Sequence, residues 1–501
     1  MLLSRVLGYV REMVLAYRSG ASAATDAFYA AFQLPDLLNY FLAGGALSIA
    51  FIPLYDRVRT QEGQAAADDL VATVLGTLGV LAILATALLS WNAEALVALQ
   101  FPRFDAQTQA LTVDLTRIVL PAQVFFIVGG IVQSVLLAQQ RFLAAALAPL
   151  FYNGGVIVGG LFLAPTFGIS AFAWGALAGS IAGPFLAPVL LARGVAPLRV
   201  RFAPFSRRFL VYLVIAAPLM FGQTLLTLDE WYDRWFGALI GTGTVAHLGL
   251  ARRLMQVPVA VVGQALAAAA LPALARLHSQ GRRAELDAAV LRTLEAGVSL
   301  AVVSGAACLA LARPLVVFVY QRGAFGPADT AEVTPLLALF SAGVPAWVAQ
   351  QIAVRAFYAR ADTWRPMLLG TFVALAAVPL YLGLSRSLGT IGLPLAGVLA
   401  MSTNALATLA LARRLHGAPR LTPLFVSVGR ALAVAAPAAA AAFFVQTMRG
   451  AVLAEPAPGT PLGAVVDLAL GGVAFVSVAG IGIALVGDAA LRSAARRLLR
   501  R

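Results

Sequence analysis

Charged side chains stand inside the apolar segments of this chain, and arginines predominate among them. Arg5 and Arg11 fall in the first apolar segment, and Arg252 and Arg253 fall in a later one. A charge at the centre of a bilayer costs roughly 2.5–3.5 kcal/mol even on a lenient scale, so membrane helices mainly keep charges that face a polar cavity or pair with one another. The pattern predicts a transporter with a wet, cationic interior and an anionic cargo.

The composition is that of an integral membrane protein. Hydrophobic residues make up 61% of the 501 residues and charged residues 12%, whereas soluble domains carry about 25% charged residues. The basic residues are all arginines and give a net charge of +14, but they cluster in alternate loops, which is the positive-inside pattern rather than a nucleic-acid-binding surface. The single cysteine, Cys308, excludes an intramolecular disulfide.

Hydropathy predicts an all-α membrane protein of about fourteen transmembrane helices. The predicted ranges are 1–19, 25–55, 69–92, 111–139, 142–164, 168–192, 208–239, 243–274, 286–312, 330–359, 366–385, 389–413, 424–447 and 463–487. Arginines cluster after the sixth and eighth helices and in the tail, so both termini are predicted to be cytoplasmic. The charged first segment is too polar for a signal peptide, and we expect it to be a functional helix.

An internal repeat predicts the domain organisation. The segment Gly45-Ala-Leu-Ser-Ile-Ala-Phe-Ile-Pro53 resembles Gln264-Ala-Leu-Ala-Ala-Ala-Ala-Leu-Pro272, and a smaller match links 136–141 with 357–360 at a similar offset. The offset equals six helices, which preserves orientation, so the halves are predicted to be parallel repeats. We expect one six-helix lobe over 1–195, a second over 205–415, a central cationic cleft, two extra helices over 420–490 and a basic cytoplasmic tail over 491–501.

The charges of the first two helices allow two interpretations. Arg5 and Glu12 share a helix face because they are seven residues apart. In the functional interpretation, Arg5 and Arg11 line the cleft and hold phosphate groups, which suit guanidinium geometry. In the structural one, Arg5 extends to the interface and Arg11 pairs with Glu12 or Asp26. Asp26 itself either favours the start of the second helix or pairs with an arginine of the first and gates the outer side.

The seventh predicted helix carries an acidic cluster. Glu230 and Arg234 have the i, i+4 spacing of an internal salt bridge. Asp229 and Asp233 then share a face, where they could neutralise the arginines of the eighth helix, bind a coupling cation, or lie near the outer surface.

The eighth predicted helix carries two successive arginines. Arg252 and Arg253 point about 100° apart. We expect at least one of them to face the cleft, because an isolated charge there is costly, and Arg253 is favoured as a ligand residue. Arg252 is a second candidate for the pyrophosphate cleft, or it pairs with the seventh helix.

Residues for catalysis are scarce. The three histidines, His247, His278 and His416, are far apart in the chain, and no Walker A loop, HExxH motif or cysteine cluster is present. We therefore predict a protein that is not an enzyme and has no metal or other cofactor.

Several motifs resemble one family of transporters. The chain is similar to the MurJ (MviN) lipid II flippases of the MOP exporter superfamily in Ser4-Arg-Val-Leu-Gly-Tyr-Val-Arg11, Ala24-Thr-Asp-Ala-Phe28, Phe32-Gln-Leu-Pro-Asp-Leu-Leu38, Ala251-Arg-Arg-Leu-Met255, Tyr320-Gln-Arg-Gly-Ala-Phe325 and Arg355-Ala-Phe-Tyr-Ala-Arg-Ala-Asp-Thr363. The resemblance spans the chain. The opening motif and the Arg355 segment are its most specific parts.

The resemblance implies a function and a site. The cargo would be lipid II, an undecaprenyl-pyrophosphate-linked peptidoglycan precursor, moved across the bacterial cytoplasmic membrane by alternating access. Arg5, Arg11 and Arg253 match the family's cleft arginines, and Asp26 matches its essential acidic residue. The last two helices would form a groove for the lipid tail. The transporter would be a monomer in contact with membrane lipids and a coupling cation, without nucleic acid.

One segment departs from the family pattern. Where many members carry an arginine pair and a glutamate, this chain has Asn39 and Gly44. Asn39 thus occupies the position of a cleft arginine, and the family also has more residues before the opening motif, which suggests a misassigned start. We hypothesise that Arg252 and the acidic cluster compensate for Asn39, which a fully active Arg252→Ala variant would contradict.

Four other functions compete with lipid II transport. A MOP exporter for a different polyprenyl-linked glycan is hard to exclude by charge. A cation-coupled drug exporter needs an acidic cleft for cationic cargo, which the arginines disfavour. A membrane enzyme acting on polyprenyl phosphates would need converging acid–base or metal residues, and a non-transporting scaffold would leave the arginines unexplained.

Overall fold

The chain folds into helices that form two compact units. The computed structural model describes residues 2–42, 46–194, 198–226, 228–360, 362–452, 457, 459–489 and 491–493. No β-strand occurs in these ranges, and the all-α prediction is confirmed. The units are Met1–Ala246 and His247–Arg501. The predicted lobe ranges stay a prediction, and both most of the predicted tail (494–501) and the Gly45 end of the repeat lie outside the described residues.

The first unit holds fourteen helices in its described part. They are α1 (Leu2–Ser19), α2 (Ala23–Ala31), α3 (Gln33–Leu42), α4 (Ala46–Glu62), α5 (Gln64–Trp91), α6 (Ala93–Gln100), α7 (Ala106–Val119), α8 (Ala122–Ala138), α9 (Leu143–Val158), α10 (Ala164–Phe167), α11 (Ser170–Ser180), α12 (Ala187–Leu191), α13 (Arg207–Leu226) and α14 (Leu228–Ala238). The unit ends in the first turn of α15 (Thr244–Pro258).

The second unit continues α15 and adds eight further helices in its described part. They are α16 (Ala265–Ser279), α17 (Arg283–Ala310), α18 (Ala312–Tyr320), α19 (Pro327–Tyr358), α20 (Trp364–Leu388), α21 (Gly392–His416), α22 (Leu421–Val452) and α23 (Pro461–Leu485). Three π-helical turns interrupt long helices at Gly159–Leu163, Ile181–Leu186 and Val259–Gln264. Pro184 lies inside the second and Pro258 precedes the third, as expected because proline removes a backbone N–H.

Ten helical stretches of the described residues are long and apolar enough to cross a membrane. One of them, Trp364–His416, contains both α20 and α21. The predicted span over 1–19 is not among the ten, and α1 holds Arg5, Arg11, Glu12 and Arg18 within its 18 residues. The predicted spans over 25–55 and 208–239 are interrupted by residues outside the described ranges. The count of fourteen spans stays a prediction.

Aromatic packing joins α4, α5, α8 and α13 in the first unit. Phe51 and Tyr212 are fully buried, and their ring centroids are 6.3 Å apart in an edge contact. Tyr55 stacks on Phe51 at 5.9 Å. The surrounding aliphatic side chains come mainly from α5 and α8. This cluster fixes the position at which α13 begins.

Glycines bring α9 and α11 into backbone contact. A Cβ atom added to Gly175 would lie 2.4 Å from the carbonyl oxygen of Gly155, and one added to Gly155 would lie 2.6 Å from that of Gly175. Gly179 meets the backbone of Tyr152 in the same way, at 2.7 Å. Small residues allow such close approach between membrane helices, where packing replaces the hydrophobic effect as the driving force.

In the second unit, α17 and α19 approach closely in the same way. A Cβ atom on Gly305 of α17 would lie 2.6 Å from the carbonyl oxygen of Ser341 in α19.

An ion pair joins the last two helices. Arg449 of α22 is 4% exposed. It donates to Asp467 of α23 at 2.5 Å and to the carbonyl oxygen of Gly463 at 3.2 Å. The α22–α23 hairpin is therefore held by a buried pair.

The glycine contact between α9 and α11 predicts a position-specific loss of stability. Gly175→Leu should lower stability by about 1–3 kcal/mol or more, because overpacking against a backbone oxygen forces the helices apart. Gly154→Leu is the matched control, since a Cβ atom there meets nothing within 4 Å. The measurement is the apparent melting temperature of the purified protein in detergent, and equal values for the two variants would contradict the prediction.

Candidate functional site

Arg11 stands in a hydrogen-bond network between α1, α2 and α9. Its guanidinium group donates to Glu12 Oε1 at 2.6 Å and to Asn153 Oδ1 at 3.2 Å. Tyr29 donates its hydroxyl hydrogen to Glu12 Oε2 at 2.6 Å. Glu12 is 2% exposed, so its carboxylate is stabilised by these two donors rather than by water. The structure thus places Arg11 beside Glu12, and Asp26 is not its partner.

The remaining residues predicted for the pyrophosphate on α1 and α3 differ in exposure. Arg5 is exposed, two turns before Glu12 on the same helix. Asn39 donates its amide hydrogen to Gln123 Oε1 of α8 at 2.8 Å, and Gln123 is 4% exposed. At the position where the family pattern has a charge, this chain therefore has a neutral pair of amides.

Asp26 binds the first turn of α15. Its two carboxylate oxygens accept hydrogen bonds from the backbone N–H groups of Gly243 at 2.5 Å and Ala246 at 2.7 Å. The first N–H groups of a helix have no partner within the helix and carry partial positive charge, so a buried carboxylate is well stabilised there. Ser22 is the N-cap of α2. Asp26 lies in the first turn of α2, as the first sequence interpretation expects. The expected pairing with an arginine of α1 is wrong, because the carboxylate accepts from backbone N–H groups instead.

A small polar cavity adjoins Asp26 within the first unit. It has a volume of about 210 Å³ and is lined by Asp26, Arg103, Thr108 and the turn over 238–242, among other residues. Arg103 donates to the carbonyl oxygen of Leu239 at 2.6 Å. Thr108 donates from its hydroxyl and N–H groups to Asp105, which lowers the pKa of that exposed carboxyl. Arg103 therefore helps to hold the turn whose end Asp26 binds.

The acidic cluster lies on α14, and its arginine pairs outside that helix. Arg234 donates to Asp36 Oδ2 of α3 at 3.0 Å. The i, i+4 salt bridge with Glu230 expected from the sequence is therefore wrong, because Arg234 turns towards α3 instead. Asp233 is 4% exposed, whereas Asp229 and Glu230 are half-buried.

The two arginines of α15 have different surroundings. Arg252 is 6% exposed, and its guanidinium carbon lies 4.9 Å from the ring centroid of Phe340 and 6.0 Å from that of Trp347, both in α19. Cation–π contact suits a weakly hydrated guanidinium group in an apolar setting. Arg253 is half-buried and donates to Gln256 at 3.4 Å. Of the two, Arg253 is the more accessible.

Sequence reasoning missed several partners of these charges. Asn153, Tyr29 and Gln123 are neutral side chains that do not stand out in the sequence as site residues. The available signal was weak, since each is a polar group in an apolar helix, where such groups mark either packing or function. Helical periodicity does not show which distant helix supplies the partner.

A family model described as Lipid II flippase MurJ matches residues 15–455. The chain belongs to this family. The resemblance inferred from the motifs is thereby confirmed.

Relatives in the MurJ family align with most of the chain. Lipid II flippase MurJ of Burkholderia cenocepacia is 32% identical over 410 residues, which cover 77% of this chain and 78% of that protein. A probable lipid II flippase MurJ of Rhizobium meliloti is 32% identical over 464 residues, covering 88% of this chain and 84% of that protein. Together with the apolar helices, membership of the MurJ family makes the chain a multi-pass inner-membrane protein.

Solved structures share the fold. A lipid II flippase MurJ in an inward closed conformation has a TM-score of 0.79 at 20% identity and covers 96% of this chain and 97% of its own. An inward-facing MATE multidrug transporter of the MOP superfamily has a TM-score of 0.69 at 15% identity, covering 82% of this chain and 94% of its own. The MOP-like helical fold predicted for the chain is therefore confirmed.

The contact of Asp26 with α15 predicts a loss of stability on a nearly isosteric change. We expect Asp26→Asn to lower stability by about 1.5–3 kcal/mol, because an amide has one acceptor oxygen where the carboxylate uses two and carries no charge. Asp114→Asn, at an exposed position of α7, is the matched control. The readout is the melting temperature in detergent, and an unchanged value for Asp26→Asn would show that the contact contributes little.

Proposed function

We propose that this chain moves lipid II from the inner to the outer leaflet of the cytoplasmic membrane. The observation that carries the proposal is the MurJ family match over residues 15–455. Relatives named as lipid II flippases at 32% identity support the same cargo. The reaction is transport without covalent chemistry, and lipid II is the substrate.

The pyrophosphate of the cargo is the group that the arginines bind in this proposal. Arg5, Arg11 and Arg253 contact it, because planar guanidinium groups donate paired hydrogen bonds to phosphate oxygens. The ion pair of Arg11 with Glu12 at 2.6 Å has no net charge. Arg11 therefore contributes oriented donors, and Arg5 contributes a guanidinium group at an exposed position of α1.

Two other residues take modified roles in the proposal. Asn39 contributes an amide group in place of the family's arginine, and it is oriented by Gln123. Arg252 has a supporting role next to Arg253 in the proposal, with its guanidinium group against Phe340 and Trp347.

The coupling and topology of transport are part of the proposal. Asp229, Glu230 and Asp233 form the counter-charge or coupling-cation site on α14, and Asp26 acts in gating through the first turn of α15. Both termini are cytoplasmic, as the arginine distribution predicts. The transporter works as a monomer with two repeat-related lobes over 1–195 and 205–415, followed by the lipid-tail helices over 420–490.

A flippase for another polyprenyl-linked glycan is the second candidate. The arginines suit any polyprenyl pyrophosphate, so charge alone does not separate the two cargoes. A drug exporter is disfavoured although a MATE transporter shares the fold, because cationic drugs would be repelled by the arginines.

Lipid II export should be restored by this chain in bacteria depleted of their own flippase. Arg253→Ala should abolish the restoration at equal membrane abundance, because it removes a proposed pyrophosphate contact. Arg414→Ala, which changes an exposed arginine in the last turn of α21, should export normally. The measurement is the amount of lipid II in the outer leaflet. Failure of the parent chain, despite good insertion, would favour the second cargo.

The network around Arg11 predicts loss of transport from an uncharged position. Asn153→Leu should reduce lipid II export several-fold, because it removes a partner that orients the Arg11 guanidinium group. Asn404→Leu in α21 is the matched control, since Asn404 and Asn153 are each 8% exposed. Equal export by the two variants at equal abundance would contradict a positioning role for Asn153.

A further inference from the structure

A segment before α13 lies along α5 through backbone contacts. We call residues 198–206 the strap. The N–H group of Arg201 donates to the carbonyl oxygen of Ala72 at 2.9 Å, and that of Ala203 donates to Thr77 Oγ1 at 3.1 Å. A Cβ atom on Gly76 would lie 2.4 Å from the carbonyl oxygen of Arg201. The backbone of the strap therefore contacts the backbone of α5 at Gly76, which has no side chain.

Ion pairs join the strap and the start of α13 to α5 and to the end of α4. Asp69 of α5 accepts from Arg201 at 2.8 Å and also from Arg208, at the start of α13. Arg208 reaches Glu62 as well, at 3.3 Å. The two carboxylates are thus engaged by Arg201 and Arg208, so they do little to offset any other arginine nearby.

The strap lies against the first turns of an apolar helix. Ala72 and Thr77 belong to the stretch Gln64–Trp91, which is long and apolar enough to span a membrane. Non-helical backbone at membrane depth needs partners for its polar groups. On the side that faces α5, the N–H groups of Arg201 and Ala203 have such partners in Ala72 and Thr77. Pro204 has no N–H group that needs a partner.

The outer side of the strap combines exposed apolar groups with arginines. Val200 is 72% exposed, Phe202 56% and Phe205 89%. Arg199 and Arg207 are also exposed, and no carboxylate among the described residues pairs with them. Aromatic and basic side chains on one surface are typical of segments that lie in the membrane interface, where acidic lipids attract the basic groups.

We propose that the outer side of the strap binds the acidic phospholipids of the adjoining leaflet. Phe202 and Phe205 insert among the acyl-chain boundary groups, and Arg199 and Arg207 bind lipid phosphates. Lipid is the occupant that the surface fits, because the strap is fixed to the apolar helix α5 and because Asp69 and Glu62 are already paired with Arg201 and Arg208. Docking of a soluble protein is the alternative that the experiment must separate.

Spin labelling tests this surface without relying on transport. A nitroxide is attached at Phe205→Cys in a Cys308→Ala background, and the full chain is placed in nanodiscs of phosphatidylcholine with or without phosphatidylglycerol. We expect collisions with oxygen to exceed those with a water-soluble nickel complex several-fold. Phosphatidylglycerol should increase this ratio further.

The arginine contribution is tested with matched double variants. Arg199→Gln with Arg207→Gln should remove the effect of phosphatidylglycerol, whereas Arg413→Gln with Arg414→Gln, at the end of α21, should preserve it. A label that favours the nickel complex in both membranes, or that is shielded from both reagents, overturns the proposal. A ratio that does not respond to phosphatidylglycerol overturns the assignment of Arg199 and Arg207 to lipid phosphates.

Discussion

The cost of placing a charge away from water governs the structure of this chain. Four strongly buried charges lie against specific partners: Asp26 against backbone N–H groups, Glu12 against Arg11 and Tyr29, Arg252 against aromatic rings, and Arg449 against Asp467. An isolated buried charge would cost several kcal/mol, while removal of one partner from a buried pair is similarly costly. The charges therefore select helix neighbours in a membrane, where apolar surfaces alone discriminate poorly.

The sequence was sufficient to predict the class of fold and the places where charges would need partners. Long apolar segments predict helices because only helices satisfy their own backbone within a bilayer. The partners were harder to predict. Glu12 is adjacent to Arg11, so it could be considered, but Asn153 is 142 residues away and Gly243 is 217 residues from Asp26. Arg234 shows the limit most clearly, since a favourable local spacing with Glu230 was outweighed by Asp36 of another helix.

The candidate site also shows how charge and geometry are separated in this chain. Arg11 has its charge balanced by Glu12 and its orientation set by Asn153. Asn39 has lost the charge altogether but keeps a fixed hydrogen-bonding direction through Gln123. A transporter must bind its cargo and then release it, so a site with strong orientation and moderate net charge is better suited than a dense cluster of unbalanced cations.

The contact made by Asp26 has a consequence for how this protein can evolve. Its carboxylate recognises backbone N–H groups at Gly243 and Ala246, and every residue except proline has that group. The contact itself therefore makes no demand on the side chains at those two positions. The backbone and the packing constrain them instead, because Gly243 has a φ of +82° and Ala246 is fully buried. Paired substitutions, which reveal side-chain contacts when related sequences are compared, would leave no trace here. An invariant acid facing a turn that keeps its glycine would be the record of this interaction.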